Sequence, residues 1–214
     1  MLALYGHPFS SYTWKAQIAL YVNDTPFDFH TLDGDQPTAA AIVAAASPLG
    51  KFPLLVDGAT EIFEATAIIE YLAALHPGAA PLIPANALGA TKARMLDRVF
   101  DNYVMNLMSI AVVEHIGGNP DQARIAKMRT DLDRVYDWLD AWLADYARPD
   151  GITIVECAAA PSLFYADWVH RIGDTRPRLA AWRAHLLALP EVSRCVEDAR
   201  PFRHYFPLGA PDRD

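Results

Sequence analysis

The spacing of apolar residues changes once along this chain, and that change limits the folds that it can adopt. Residues 1–76 alternate short apolar runs, typical of strands, with segments in which apolar residues recur at helical spacing. Beyond the proline-rich stretch at 77–87, the apolar patterns have helical spacing and give no strand signal. We therefore expect an α/β unit followed by an all-helical unit.

The first unit is predicted to hold four strands and three helices. The strands fall at 2–5, 27–32, 52–56 and 61–63, and the helices at about 11–22, 39–46 and 65–76. A strand–helix–strand order predicts a parallel pair, and the turn at Asp57-Gly58 predicts an antiparallel hairpin, so the sheet should be mixed. A mixed four-stranded sheet with helices on both faces indicates an α/β thioredoxin-like domain.

A segment with three prolines and one glycine among small residues, PGAAPLIPANA, separates the two units. We predict a thioredoxin-like domain at 1–77, a linker at 78–86 and an all-α domain at 87–214. Five helices are expected in the last domain, at about 85–115, 120–146, 154–171, 176–188 and 190–199. Thr153 and Glu156 have the spacing of a capping box at the start of the third of these.

Composition excludes several classes of partner. The net charge of -8 and the isoelectric point near 5.3 argue against a surface for nucleic acid or anionic membrane, which needs a basic face. No apolar run approaches the ~20 residues of a membrane-spanning helix, and no signal peptide is visible. The two cysteines are too few for a disulfide framework. The expected protein is soluble and cytoplasmic.

The loop after the first strand carries the first candidate site. In a thioredoxin-like domain the N-terminus of the first helix presents free N–H groups, which favour an anion such as a thiolate. A redox enzyme of this fold would place a cysteine there, but this chain offers Ser10, Ser11 and Tyr12. Two interpretations stay open: a hydroxyl that stabilises the thiolate of a bound ligand, or an ordinary serine N-cap.

Two further segments carry candidate binding groups. A cis bond between Phe52 and Pro53 would turn the Phe52 N–H and C=O outward to pair with an extended peptide, although trans is the commoner isomer. Glu64 lies where a strand ends and a helix begins, so a carboxylate stands beside a second anion-binding helix N-terminus. A zwitterionic α-amino acid head group would match both charges, whereas Glu64 could equally be a residue that complements the helix dipole.

The order and spacing of these segments resemble the cytosolic glutathione transferase family over nearly the whole chain. SSYTWKAQIAL is similar to the serine-containing first helix of the zeta and related bacterial classes. SPLGKFPLL is similar to the cis-proline strand, and EATAIIEYLAALHP to the glutamate-serine motif and third helix. ITIVECAAAPSLFYAD is similar to the capping-box segment of helix six, with Glu156 in place of the usual Asp.

The resemblance implies a glutathione site made of named residues. Ser10, with Ser11 beside it, would hydrogen-bond the glutathione sulfur and act as the catalytic group. Lys51 would contact the glycyl end, and Phe52 would pair with the cysteinyl part next to a cis Pro53. The γ-glutamyl head would lie against the segment Glu64, Ala65 and Thr66. The resemblance also implies a homodimer that attacks a small hydrophobic electrophile with the glutathione thiolate.

Two departures from the family pattern bear on the reaction. Ala65 replaces the serine whose hydroxyl binds the γ-glutamyl carboxylate, which removes roughly 1.5–3 kcal/mol of binding free energy. Tyr12 replaces the cysteine of the zeta serine-serine-cysteine motif, which weakens the case for the zeta isomerase reaction. The alternatives to conjugation are a glutathione-dependent isomerase of the maleylacetoacetate type, a lyase, and a non-catalytic binding or assembly module of the same fold.

The second substrate's pocket and metal binding can also be judged from the sequence. Candidate pocket residues in the first loop and on the long helix of the second domain are His7, Phe9, Tyr12, Tyr103, Met105 and Met108. Aromatic and methionine residues at helical spacing are more often core residues, which is the alternative for the last three. The histidines have no metal-binding spacing, so no metal is expected.

Overall fold

The computed structural model describes residues 1–33, 37–146 and 151–214. The N-terminal part contains four strands and three helices in the predicted order. The strands are β1 Leu2–Gly6, β2 Phe27–Thr31, β3 Leu54–Asp57 and β4 Thr60–Phe63. The helices are α1 Ser11–Val22, α2 Pro37–Ala46 and α3 Ala65–Leu75.

The sheet has the mixed topology that the sequence predicts. Its strand order is β2-β1-β3-β4. β1 runs parallel to β2, whereas β3 is antiparallel to both β1 and β4. The turn between β3 and β4 contains Gly58 with φ 61°, a conformation that glycine adopts without steric cost. The thioredoxin-like mixed four-stranded domain is therefore confirmed.

The rest of the described chain is helical, as predicted. Its α-helices are α4 Ala87–Val99, α5 Asn106–Ile116, α6 Gln122–Trp142, α7 Ile154–Val169, α8 Pro177–Leu187 and α9 Pro190–Ala199, and a short 3-10 helix covers Arg200–Tyr205. Within the described ranges, no helix is both long and apolar enough to cross a membrane. The boundaries at 77/78 and 86/87 stay predictions, since the helical and α/β parts are in close contact.

The single long helix predicted from about 85 to 115 is divided by a π-helical segment, Phe100–Met105. There the Asn106 N–H donates to the Asp101 C=O, five residues back, in place of the usual four. Such a turn accommodates one extra residue and rotates the side chains that follow it. Periodicity alone does not reveal it, because the apolar residues on either side still recur at roughly helical spacing.

One hydrophobic core joins the two parts. Trp14 of α1 is fully buried and its ring packs 4.9 Å from that of Phe164 on α7. The Tyr165 hydroxyl donates to the Phe9 C=O at 2.9 Å, and the Ile154 N–H donates to the Leu82 C=O at 2.8 Å. Helix α7 is thereby fixed to both the first loop and the linker, and it packs against α1 of the first domain.

The N-terminus of α7 has the capping box predicted from its sequence. The Thr153 hydroxyl accepts from the Val155 N–H, and the Glu156 carboxylate accepts from the Thr153 N–H at 2.9 Å. The second Glu156 oxygen accepts from the Tyr146 hydroxyl at 2.6 Å. Both acidic oxygens are thus occupied inside the protein, and this helix terminus is structural.

Candidate active site

The three candidate segments lie at one end of the sheet because of its register. Tyr5 of β1 pairs with Leu54 of β3, and Leu54 pairs with Phe63 of β4. The loop after β1, the residues before β3 and the residue after β4 are therefore neighbours. The N-termini of α1 and α3 open at the same end, since each helix begins directly after one of these strands.

The N-terminus of α1 is capped by Ser10. Its Oγ accepts from the Thr13 N–H at 3.3 Å, and the residue is half-buried with an extended backbone. Ser11 follows as the first helical residue and is buried. The N-cap interpretation of Ser10 is therefore correct as local structure. A hydroxyl that accepts one N–H still has its own proton to donate, so a ligand thiolate at this place remains compatible with the cap.

The N-terminus of α3 is built differently. Glu64 occupies the N-cap position, yet among the described residues its side chain makes no capping hydrogen bond and is exposed. Its backbone has φ 72° and ψ 116°, a sparsely populated conformation for a residue with a side chain. The first N–H groups of a helix have no acceptor within the helix. This end therefore offers N–H donors and a neighbouring carboxylate to a ligand.

The segment before β3 contains a cis bond between Phe52 and Pro53, as the family resemblance implies. Pro53 is buried, whereas the Phe52 side chain is partly exposed. Phe52 lies outside the register of the sheet, whose pairing of β3 begins at Leu54. Lys51 is exposed, and its N–H donates to the Ser47 hydroxyl at 3.1 Å. The Phe52 backbone is thus available at the edge of the candidate site.

A buried ionic cluster connects α1 and α3, the two helices whose N-termini form the candidate site. Lys15 of α1 is 1% exposed, and its Nζ lies 2.5 Å from Asp97 Oδ1 and 2.7 Å from Asp101 Oδ2. Lys15 also donates to the Thr66 hydroxyl at 2.8 Å, and Thr66 donates to Asp97 Oδ2 at 2.9 Å. Burial raises the pKa of Asp101, and Lys15 opposes that rise. The cluster joins α1, α3, α4 and the π-helical segment.

This cluster also decides the role of Thr66. The side chain of Thr66 points into the protein toward Lys15 and Asp97, as expected from its position one residue after Ala65. It therefore does not replace the missing serine hydroxyl. Lys15 was not predicted from the sequence, although it is the one charged residue in the α1 segment SYTWKAQIALYV. A single lysine in an otherwise uncharged buried helix is the signal by which it could have been found.

Tyr12 faces the acidic side of the site and keeps its proton. Burial, followed by the negative charges of Asp101, Glu64 and Asp97, raises the pKa of Tyr12 to about 12, while Arg98 opposes the shift. The phenol is therefore neutral at physiological pH, and it can donate a hydrogen bond but cannot act as a base.

The other predicted pocket residues are divided between site and core. The His7 ring contacts the Phe202 ring edge-on at 4.7 Å, and burial lowers the pKa of His7 while Asp33 opposes that shift. Phe9 packs against α7, with its ring 5.4 Å from that of Tyr165. Tyr103 is 57% exposed. Met105 of the π-helical segment and Met108 of α5, which were also predicted for the pocket, are buried in the hydrophobic core.

The chain contributes no thiol to the site. Both cysteines, Cys157 and Cys195, are fully buried in helices of the second domain, and burial raises the pKa of each well above its usual value. In the described part of the chain, no group of three or more His, Cys, Asp or Glu residues is placed to hold a metal ion. What the site offers is hydroxyl groups, helix N–H donors, the backbone of Phe52 before β3 and one carboxylate.

Comparisons with known proteins cover nearly the whole chain. Residues 4–80 match the family described as Glutathione S-transferase, N-terminal domain. Glutathione S-transferase 3 from Zea mays is 30% identical over 209 residues, which span 91% of this chain and 93% of the relative. The structure of glutathione S-transferase III in apo form has a TM-score of 0.76 at 28% identity, covering 98% of this chain and 99% of that one. The structure of a glutathione S-transferase from Methylobacillus flagellatus KT with GSH bound has a TM-score of 0.77 at 21% identity, covering 91% and 98%, and shares the fold.

Proposed function

The chain belongs to the glutathione S-transferase family, and on that premise we propose that it is a glutathione transferase. It binds glutathione as co-substrate, without a metal, and directs the thiolate at a small hydrophobic electrophile. The observation that carries this proposal is the N-terminus of α3, where an exposed Glu64 in a strained conformation stands beside uncapped helix N–H groups. A γ-glutamyl head group has the ammonium and the carboxylate that such a terminus binds.

We propose that the remaining parts of glutathione contact the segment before β3 and the N-terminus of α1, which lie at the same end of the sheet. The cysteinyl backbone pairs with Phe52 beside the cis Pro53, and the glycyl end lies near Lys51. The thiol then reaches the N-terminus of α1, where the Ser10 hydroxyl donates to it. A cysteine thiol has a pKa near ~8.5, which a hydroxyl donor and the positive end of a helix lower. Ser10, with Ser11 behind it, acts by stabilising the thiolate that attacks the electrophile.

Two variants of Ser10 test this role. Ser10→Ala removes the hydroxyl and the cap, so it should lower both activity with a generic aryl halide and thermal stability. Ser10→Asp keeps an oxygen that caps Thr13 but places a negative charge beside the sulfur, so it should keep stability and lose activity. Ser193→Ala, in α9, is the matched control. Isothermal titration that detects no binding at millimolar glutathione would contradict the proposal.

Tyr12 is the competing hydroxyl, and a pH profile separates it from Ser10. We propose that Tyr12 lines the pocket with its proton in place, because its pKa is raised to about 12. If Ser10 rather than Tyr12 donates to the thiolate, Tyr12→Phe should leave unchanged the pH at which conjugation reaches half its maximum rate. A shift of that midpoint to higher pH in Tyr12→Phe, with no shift in Ser10→Asp, would assign the thiolate contact to Tyr12.

The serine-containing first helix resembles that of the zeta class, whose reaction differs from conjugation. An isomerase of the maleylacetoacetate type or a lyase would regenerate glutathione, whereas conjugation consumes it. Quantifying free glutathione during turnover of a maleyl substrate, a β-aryl ether and an aryl halide distinguishes them. We favour conjugation, because Tyr12 stands where the zeta motif has cysteine.

A second candidate function is a non-catalytic binding or assembly module of the same fold. Ala65 favours it, since the carboxylate of a γ-glutamyl group would find backbone N–H donors there without a hydroxyl, and Thr66 is turned away toward Lys15. Titration that detects no glutathione binding, together with a stable dimer in solution, would support this candidate.

We also propose that the protein is a cytoplasmic homodimer whose pocket for the electrophile is lined by His7, Tyr12 and Tyr103. Leu88 and Met95 support the dimer: they lie seven residues apart on one face of α4, and both are exposed. Sedimentation of the wild type and of Met95→Asp tests it, since a buried carboxylate at the contact should give a monomer.

A further inference from the structure

A groove of about 660 Å³ opens between α1, β2 and α9, and it contains none of the glutathione-site residues proposed above. Its volume falls within the range of small-molecule sites. It runs along β2, from Thr25 at one end to Pro8 and Phe202 at the other. Because Pro8 belongs to the loop that carries Ser10, the groove lies behind the candidate active site and is separated from it by that loop.

The walls of the groove are aromatic. Phe27 and Phe29 alternate along β2 and therefore point to one face, and Tyr21 of α1 lies with its ring 5.7 Å from that of Phe27. Phe202 of the C-terminal 3-10 helix closes one end. Each of these four side chains is only half-buried and lines the groove, so part of each ring can contact a ligand there.

Charged groups of both signs stand at the rim. Arg194 of α9 lies over the Tyr21 ring, 4.1 Å from its centroid, and Asp198 is one helical turn further along the same face. Among the described residues, neither Arg194 nor Asp198 forms an ion pair within 4.0 Å. Asp24 lines the groove as well. A ligand head group with one negative and one positive charge would therefore find a partner for each.

The inner wall holds an unpaired polar atom. Gln17 is 2% exposed, and its Oε1 has no hydrogen-bond partner in the described part of the chain, while its amide donates to the Tyr21 hydroxyl at 3.4 Å. A buried carbonyl oxygen without a partner costs free energy, so it is usually satisfied by water or by a ligand. A ring that carries an N–H or O–H donor would supply that partner.

We propose that this groove binds an aromatic α-amino acid whose ring carries a hydrogen-bond donor. The carboxylate pairs with Arg194, the ammonium with Asp198, and the ring lies against the sides of Phe27 and Phe29 that face the groove. The ring donor is directed to Gln17 Oε1. This inference does not depend on the proposed transferase activity, since the groove and the glutathione site share no residue.

Calorimetric titration of the full chain with four compounds tests the recognition. L-tryptophan has ring, donor and head group; L-phenylalanine lacks the ring donor; indole lacks the head group; L-alanine lacks the ring. We expect L-tryptophan to bind tightest, and indole and L-alanine to bind at least about tenfold more weakly, which corresponds to about 1.4 kcal/mol. Equal binding of indole and L-tryptophan, or no saturation by L-tryptophan at millimolar concentration, would overturn the proposal.

Variants locate the binding. Arg194→Ala and Asp198→Ala should each raise the Kd for L-tryptophan about tenfold or more, because each removes one charge-assisted contact. Arg171→Ala and Asp174→Ala, exposed residues that do not line the groove, should leave it unchanged. All four sites are exposed, so the fold should survive each change. Displacement of L-tryptophan by glutathione, or its loss in Glu64→Ala but not in Arg194→Ala, would place it in the candidate active site and refute the inference.

Discussion

The N-termini of α3 and α7 differ in whether the protein itself supplies hydrogen-bond partners for the polar groups there. Both helices begin with free N–H groups, and both have a glutamate close to the start. At α7 the acidic side chain turns inward, where its two oxygens accept from Thr153 and Tyr146. At α3 the glutamate stands in the N-cap position itself, exposed and in a strained conformation. A terminus whose groups are satisfied internally contributes stability, whereas one left open is available to a ligand.

The largest expected effect on stability comes from the buried Lys15 cluster, which contacts α3 just after its open N-terminus. Lys15→Met should lower the free energy of unfolding by roughly 3–5 kcal/mol, because Asp97 and Asp101 lose the cation that neutralises them inside the protein. Chemical denaturation measures this. Lys127→Met is the matched control, since its partner Asp131 is a surface carboxylate and the loss should stay below about 1 kcal/mol. Equal losses would mean that the buried cluster contributes no more to the free energy of unfolding than the surface pair does.

Breaking the closed terminus should cost less and leave ligand binding intact. Glu156→Ala removes the capping-box acceptor and leaves the Tyr146 hydroxyl unpaired, so we expect a loss of about 2–4 kcal/mol in the free energy of unfolding. Glutathione affinity, measured by titration, should not change. Glu156→Asp, which keeps the carboxylate on a shorter stem, should lose less. A variant that stays stable but binds glutathione more weakly would reverse the assignment.

The open terminus should respond in the opposite manner. Glu64→Gly relieves the positive φ and is expected to raise the stability by up to about 1 kcal/mol, or to leave it unchanged. The same change removes the partner of the γ-glutamyl ammonium, so the Kd for glutathione should rise about tenfold or more. Glu61→Gln, on the neighbouring strand, serves as the control. Unchanged affinity in Glu64→Gly would remove the main support for the proposed function.

The smallest expected effect is a gain in glutathione affinity when a hydroxyl is added at the open N-terminus of α3. Ala65→Ser restores a hydroxyl to the first residue of α3, where it can donate to a ligand carboxylate, and should lower the Kd for glutathione by up to about tenfold. Stability should change little, because the α3 terminus remains open. Ala67→Ser, an exposed position in the same turn, should have no effect. An improvement in both variants would point to a general polarity effect.

The sequence predicted the order of elements because period-two and period-3.6 patterns are local signals. The capping box at Thr153 was equally accessible, since its two residues are three apart. The Lys15 cluster was not, because its partners Thr66 and Asp101 lie 51 and 86 residues away in sequence. The positive φ of Glu64 and the π turn were missed for another reason, because both depend on how neighbouring elements pack. Glutamate, unlike glycine, is not a residue type that indicates a positive φ.

The cluster around Lys15 has a consequence for cooperativity. A cut at the predicted domain boundary would separate Lys15 and Thr66 from Asp97 and Asp101, and it would expose the apolar face of α1 that Trp14 presents to Phe164. The isolated first domain would lose both the apolar burial and the ion pairs that α1 makes with the second domain, so we expect it to be much less stable alone. Two domains that are distinct in architecture should therefore melt in a single transition, because neither is expected to fold independently of the other.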